Sequence, residues 1–451
     1  MGEYIRQVRG FRRDIKLFLL YNLLANVGWG VFQLIFNLYL TGLHLREDDI
    51  GAFSAAQTLA MAAAAASMGP LLARFGLWRC ITTGVSLFLL SSYSLAFAEH
   101  PRLILALSVT NGIGLAYLFT ATMPFIIEWA RRAQRQHVSA VAFSVISLAA
   151  TFGALLGGFL PGLIPAAGVG VYRWTLVAGT AVGTLGLIPL FLMGPARHGK
   201  APSDPTALKE AEGEDERRQV RRDMGTFVLI GGLMALGAGA VVPFYNVYLS
   251  TLGASARQIG YVFALGGLSA AIVGLAAPAV ARRFGSLRAV PLVRLVIVPF
   301  YLLLILVPGY GLAVVAHIVR QTSISMAWPV DSTFIAEVLP PRARASVFGF
   351  RSAAWNVGYS IASLAAGLLI VRVGYNASFL SLILFSILSM SLFSIYFGRH
   401  PRIRSGQIPG ALPRATRLAR EHIIGSQPST APAQPALSPA PPPAISRSRG
   451  S

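Results

Sequence analysis

The chain has 451 residues, 55% of them hydrophobic and only 12% charged, with a mean hydropathy of +0.62. A soluble domain of this length could not hide so much apolar surface, so composition points to a polytopic membrane protein. The formal net charge of +21 would suit a nucleic-acid binder, but the Lys and Arg sit in short loops and two tails rather than on one face, the placement that flanks membrane spans.

Residues 1–14 form a short basic N-terminal segment. The first apolar run, Ile15 to Leu40, is too long for a signal peptide and lacks a small-residue cleavage pattern, so it stays as a span. Spans are expected at about 15–41, 50–73, 77–98, 101–129, 138–164 and 172–193, making an N-terminal six-helix bundle over 15–193. A polar stretch follows, "GPARHGKAPSDPTALKEAEGEDERRQVRRD", which reads as a linker over 194–224 with an amphipathic helix near Lys209 to Arg222. Six more spans at about 225–250, 258–281, 287–307, 311–337, 345–370 and 375–398 make a C-terminal bundle over 225–398. The remaining 399–451 is rich in Pro, Ala and Ser and is expected to be disordered. Twelve spans place both termini on one side. Most Lys and Arg lie in the termini and even-numbered loops, while the odd loops hold only Arg46, Arg102, Arg173, Arg257 and Arg372, so that side is expected to be the cytoplasm. Arg294 and Arg320 fall inside spans. The single Cys80 leaves no disulfide framework or Cys-based metal site. The sequence contains no phosphate-binding Gly loop with Lys, no HExxH and no nucleophile motif, so neither an enzyme nor a cofactor or metal is expected.

The two halves align at an offset of 209 residues: "NLYLTGLHLREDDIG" (Asn37 to Gly51) matches "NVYLSTLGASARQIG" (Asn246 to Gly260), and "ARFGLWR" (Ala73 to Arg79) matches "RRFGSLR" (Arg282 to Arg288). Glu128 falls on Glu337 and Arg135 on Arg344. Six spans repeated in parallel about a charged linker is an arrangement of secondary transporters, with a pseudo-two-fold axis along the membrane normal. The expected fold is therefore all-α, twelve transmembrane helices in two such bundles.

Over roughly residues 12–400 the sequence resembles the major facilitator superfamily. The loop "GPLLARFGLWR" (Gly69 to Arg79) is similar to the family's loop signature at Gly69, Leu71, Arg74, Gly76 and Arg79, but Ala73 stands where the family has Asp. The resemblance implies a cytoplasmic gate built on Arg74, Arg79 and Glu128, repeated by Arg283 and Glu337, with the latch altered by the missing Asp. The alternative is that both acids pair at the surface with Arg131, Arg132, Arg342 or Arg344, at little energetic value. The fifth span's "GALLGGFLPG" faintly resembles the Gly/Pro signature of the family's antiporters, but Gly158 replaces its Pro, and packing is the ordinary use of such residues.

The resemblance implies that spans 1, 4, 7 and 10 line a central cavity. On span 1, Asn22, Asn26, Trp29, Gln33 and Asn37 lie within about 40° of one line. Span 4 has Asn111 with Thr122 on the same face, span 7 has Gly232, Gly239, Pro243 and Asn246, and span 11 has Ser352, Asn356, Tyr359 and Ser363 beside Trp355. Amides and hydroxyls of this kind also serve as helix glue or bond back to their own helix. Span 10 carries His317, Arg320 and Asp331. Arg320 and Asp331 share a face but stand about 16 Å apart along the axis, too far to pair. Two readings stay open. Arg320 is a fixed strut and Asp331 a local cap beside Pro329, or Arg320 holds a polar or anionic group of a substrate while Asp331, and after it His317, carries a proton.

The expected function is secondary transport of a small organic solute by alternating access, efflux or uptake undecided, with protons as a possible coupling ion. The protein would be a monomer in the bilayer of the cell (inner) membrane with both termini cytoplasmic. The alternative is a non-transporting scaffold, assembly factor or lipid-handling protein on the same fold.

Overall fold

A computed structural model describes residues 11–120, 122–130, 134–193, 214–405 and 408. It is a bundle of long helices. In the first half these are α1 (Arg13–Gly42), α2 (Glu47–Phe75), α3 (Leu77–Phe97), α4 (Pro101–Thr120, then Thr122–Trp129), α5 (Arg135–Phe159) and α6 (Val169–Leu185, then Leu187–Met193). In the second half they are α7 (Glu214–Val241, a 3-10 turn at Val242–Phe244, then Tyr245–Thr251), α8 (Ala256–Gly274, then Ala277–Phe284) and α9 (Ser286–Leu295, then Ile297–Leu306). They are followed by α10 (Tyr310–Val338), α11 (Pro341–Val373) and α12 (Tyr375–Gly398). Eleven segments among the described residues are long and apolar enough to cross a membrane. The twelfth, α10, has the length at 29 residues, but its polar residues dilute its hydropathy. The linker residues 194–213 and most of the tail lie outside the described residues. Of the amphipathic helix expected in the linker, the part from Glu214 onward is helical and runs straight into α7.

Local sequence accounts for the breaks. Pro243 opens the 3-10 turn of α7, and Pro278 opens the second piece of α8, each lacking the N–H that would continue the helix before it. α8 begins on a capping box, with Ser255 N donating to Gln258 Oε1 at 2.8 Å and Gln258 N to Ser255 Oγ at 3.3 Å. The repeated "RFG" turn is built the same way twice. Gly76 has φ +80° and Gly285 φ +72°, a conformation that costs little only for glycine.

The pairing of helices shows the repeat directly. α1 packs on α5 and α6, α2 and α3 on α4, and α3 on α6. In the second half α7 packs on α11 and α12, α8 and α9 on α10, and α9 on α12, the same pattern shifted by six helices. The halves meet through α2 with α11 and α5 with α8. Both contacts are glycine seams. A Cβ on Gly158 would stand 2.8 Å from Gly260 Cα and 2.9 Å from Ala256 O, and one on Gly367 would stand 2.4 Å from Glu47 O. A Cβ on Gly51 would stand 2.4 Å from Ser363 O, and one on Gly260 3.1 Å from Ala154 O. The 209-residue offset maps Gly158 to Gly367, Gly51 to Gly260, Glu47 to Ala256 and Ala154 to Ser363, so the two seams are one contact used twice.

These seams lie toward the face away from the termini. The same is true of the largest buried apolar cluster, which joins Val31, Leu34, Leu38 and Tyr39 of the first half to Tyr245, Val247, Leu249 and Ile259 of the second. The clusters nearer the termini each belong to one half, around Phe334 and Phe397 in the second and around Phe18, Phe125 and Ile15 in the first. Apolar burial therefore closes the molecule on the far face and leaves the halves with separate cores on the face that carries the termini.

Candidate functional site

The gap between the halves holds a cavity of about 410 Å³. Its walls come from α1, α2, α4, α5, α7, α8, α10 and α11. Trp29, Gln33 and Asn37 reach it from α1, Asn246 from α7, Arg320 from α10, and Asn356 with Trp355 and Tyr359 from α11. These residues belong to the stripes expected from helical periodicity, and they share one surface. Gln57 and Gln321, which periodicity did not single out, also line it.

Two of the amides close the far end. Asn37 Nδ2 donates to the carbonyl of Pro243 at 2.5 Å, and Asn246 Nδ2 donates to the carbonyl of Leu34 at 2.8 Å. Proline at 243 is the residue that breaks α7, so the kinked backbone and an amide one half away form a reciprocal clasp across the pseudo-two-fold. Asn356 Nδ2 instead bonds back to Ser352 O at 2.8 Å, leaving its carbonyl as the acceptor that side chain offers the cavity. Trp29 stands edge-on to Phe119, ring centres 5.1 Å apart, and forms an aromatic wall.

Other predicted residues stand behind the walls. Asn26 is buried and donates to Asn22 O at 2.8 Å within its own helix. Asn111 is buried and fully engaged. Its Nδ2 donates to Ser91 Oγ and Ser92 Oγ at 3.0 and 2.9 Å, and its Oδ1 accepts from Gln57 Nε2 at 2.7 Å. It ties α2, α3 and α4 together and orients Gln57, which does line the cavity. His317 is fully buried between the rings of Tyr245 and Phe263, at 5.2 and 4.5 Å between centres. Its Nδ1 is 3.4 Å from the Arg320 guanidinium. It supports the arginine from behind and is not a lining residue.

Asp331 departs most from the sequence reading. Neither a lone carboxylate nor a local cap, it accepts from two guanidiniums on its Oδ2: Arg351 of α11 at 2.7 Å and Arg294 of α9 at hydrogen-bond contact. All three side chains are largely buried, and Asp331 is not among the cavity-lining residues. Ser332 and Thr333 satisfy carbonyls around the proline break, donating to Trp328 O and Pro329 O at 2.9 Å each. In the sequence Arg294 stands as a charge inside span 9, and Arg351 lies near the start of span 11. An acid and two arginines at one depth of three successive spans was the available signal.

On the face carrying the termini, Arg74, Arg79 and Arg283 are exposed, with Arg74 over the ring of Phe75 and Arg283 over that of Phe284 at 5.3 and 5.5 Å. Glu337 is half-buried. The side chain of Glu128 lies outside the described residues. A separate cluster at this face joins α7 to the segment after α12. Asp223 accepts from Tyr396 OH at 2.8 Å and Gln219 Nε2 at 2.9 Å, with His400 Nε2 at 3.2 Å.

A family model described as Major Facilitator Superfamily matches residues 18–320 and 321–438. The chain belongs to that superfamily, and membership makes it a multi-pass membrane transporter of the secondary type rather than an enzyme. Solved structures share the fold. The nucleoside transporter NupG aligns at 14% identity with a TM-score of 0.67, over 86% of this chain and 99% of that one. A bacterial homologue of the human lysosomal transporter Spinster, in an inward-facing and unoccupied conformation, aligns at 15% with a TM-score of 0.63, over 93% and 98%. A D-xylose-proton symporter aligns at 16% with a TM-score of 0.64, over 84% and 97%. No curated protein matches the sequence.

Proposed function

We propose that the protein moves a small organic solute through the central cavity by alternating access. The observation that carries this is the one-sided closure. The glycine seams, the Asn37 and Asn246 clasps and the shared apolar cluster all join the halves away from the termini, while the cavity lies between the halves and is bounded by both. Rocking about the cavity would break one set of contacts and make another on the terminal face, where Arg74, Arg79, Arg283 and Glu337 stand, with Glu128 of the same helix-end position in the first half. Trp29, Gln33, Asn37, Asn246, Arg320 and Asn356 form the pathway, Asn26 and Asn111 hold its walls, and His317 steadies Arg320. Positive charge on the terminal face supports a cytoplasmic placement of both termini in the cell membrane, so the conformation described is open to the cytoplasm.

Coupling to protons fits Asp331 only through its ion pairs. A proton on that carboxylate would release two arginines from one oxygen and loosen α9, α10 and α11 from one another. Purified protein in proteoliposomes, screened against a solute panel with and without a pH gradient, tests the reading. Transport of a solute, lost on Arg320→Ala, is expected. Transport without any proton movement would remove Asp331 from a coupling role, and no transport of any solute would overturn the proposal.

A further inference from the structure

Three arginines lie deep within spans of this chain, and their counter-charges differ. Arg294 and Arg351 share Asp331. Arg320, ten residues into α10 from Tyr310 and so about 15 Å along the helix, is not among the described ion pairs. It is 5% exposed, and its Nε has no hydrogen-bond partner. What surrounds it is aromatic. The guanidinium lies 5.7 Å from the centre of the Tyr245 ring, and His317 backs it. Among the described residues that line the cavity, Arg320 is the one charged side chain, and none is a carboxylate. A cation at this depth without a counter-ion is costly. The ring face and the imidazole offset part of that cost, but a permanent strut would be cheaper with an acid beside it, as the arginines on Asp331 show.

We infer that the solute is an organic anion of single charge, whose carboxylate supplies the counter-ion that Arg320 lacks. This rests on the reading of the cavity as the transport site. A guanidinium presents a planar fork of donors that matches a carboxylate, and Arg320 lines the cavity. One arginine and no second cation neutralise one charge, so a dianion would carry an unpaired charge into the gap. The rest of the surface fits an uncharged, partly apolar body, with Trp29 and Trp355 as ring faces and Gln33 and Asn356 as polar contacts. A cavity of about 410 Å³ lies within the size range of small-molecule sites.

The test uses the full chain in detergent and follows the fluorescence of the cavity tryptophans during titration with benzoate, phenylacetate and cyclohexanecarboxylate. Benzamide, phenylacetamide and cyclohexanecarboxamide serve as uncharged analogues of the same shape, and phthalate as a dianion. Saturable quenching by at least one acid is expected, with its amide and the dianion at least ten-fold weaker. Arg320→Gln should weaken the acid at least ten-fold, and Arg320→Lys, a point charge without the fork, should fall between. Amides that match the acids, acids that all fail to bind, or a folded Arg320→Gln protein with unchanged affinity would each overturn the inference. The acid-against-amide comparison in the unaltered protein holds even if the variants do not fold. If acids bind but proteoliposomes move neither them nor any neutral or cationic solute, the anion site stands and the transport reading falls. If only neutral solutes bind and move, the reverse holds.

Discussion

Asp331 shows how far a single carboxylate organises its surroundings. It stands between Arg294 and Arg351, and replacement by Asn would leave two buried guanidiniums facing one neutral amide. Removing one member of a buried ion cluster typically costs about 3–5 kcal/mol. Asp331→Asn is therefore expected to lower the melting temperature in detergent clearly, and Arg351→Gln to lower it less, because Arg294 keeps its carboxylate. Equal melting temperatures for Asp331→Asn and the unaltered protein would contradict the triad. Asn111 makes the complementary point. Its place on a polar stripe was visible from spacing, but its partners lie 19, 20 and 54 positions away in the chain, and those partners turn it from a pathway residue into a brace for Gln57.

At the scale of helices, the seam glycines govern how closely α5 can approach α8, and α2 approach α11. Any side chain at Gly158 or Gly367 meets backbone, not a flexible side-chain end, so it must push the helices apart. Gly158→Leu and Gly367→Leu are each expected to favour the state opened at the far face. Spin labels at Thr41→Cys and Ser250→Cys, near the far ends of α1 and α7, would report a longer distance in both variants. The buried Cys80 adds little background labelling. An unchanged distance in either would mean the seam yields without opening. A milder change of the same kind is Tyr375→Phe, which removes the bond from Tyr375 OH to Glu47 Oε1 at 2.9 Å across the halves. Its expected cost to far-face closure is about 1 kcal/mol, a few-fold shift in label accessibility. Small residues in "GALLGGFLPG" were legible as packing residues, but one-dimensional spacing could not say that Gly153 and Gly157 serve α1 while Gly158 serves the other half.

Across the whole molecule, the sequence distributes charge by side and polarity by face, and the two patterns make different predictions. The loop charges predict that a reporter fused after residue 405 reads cytoplasmic; a periplasmic signal would reverse the orientation and with it the meaning of the open face. What the sequence determined by itself was twelve helices, their duplication at a 209-residue offset, the family, and the direction in which each polar stripe points from its own axis. Length and hydropathy set eleven of the helices and length alone the polar α10, because a bilayer admits only spans that satisfy their backbone internally, and helical periodicity set the stripe directions. Only the tertiary structure decided what stands opposite each stripe. Arg320 lines the cavity and Asp331 faces two arginines, although they share one face of one helix, because α10 borders the cavity at one depth and α9 and α11 at another. Hydrogen bonds and ion pairs join atoms distant in the chain, and periodicity along one helix carries no record of its neighbours.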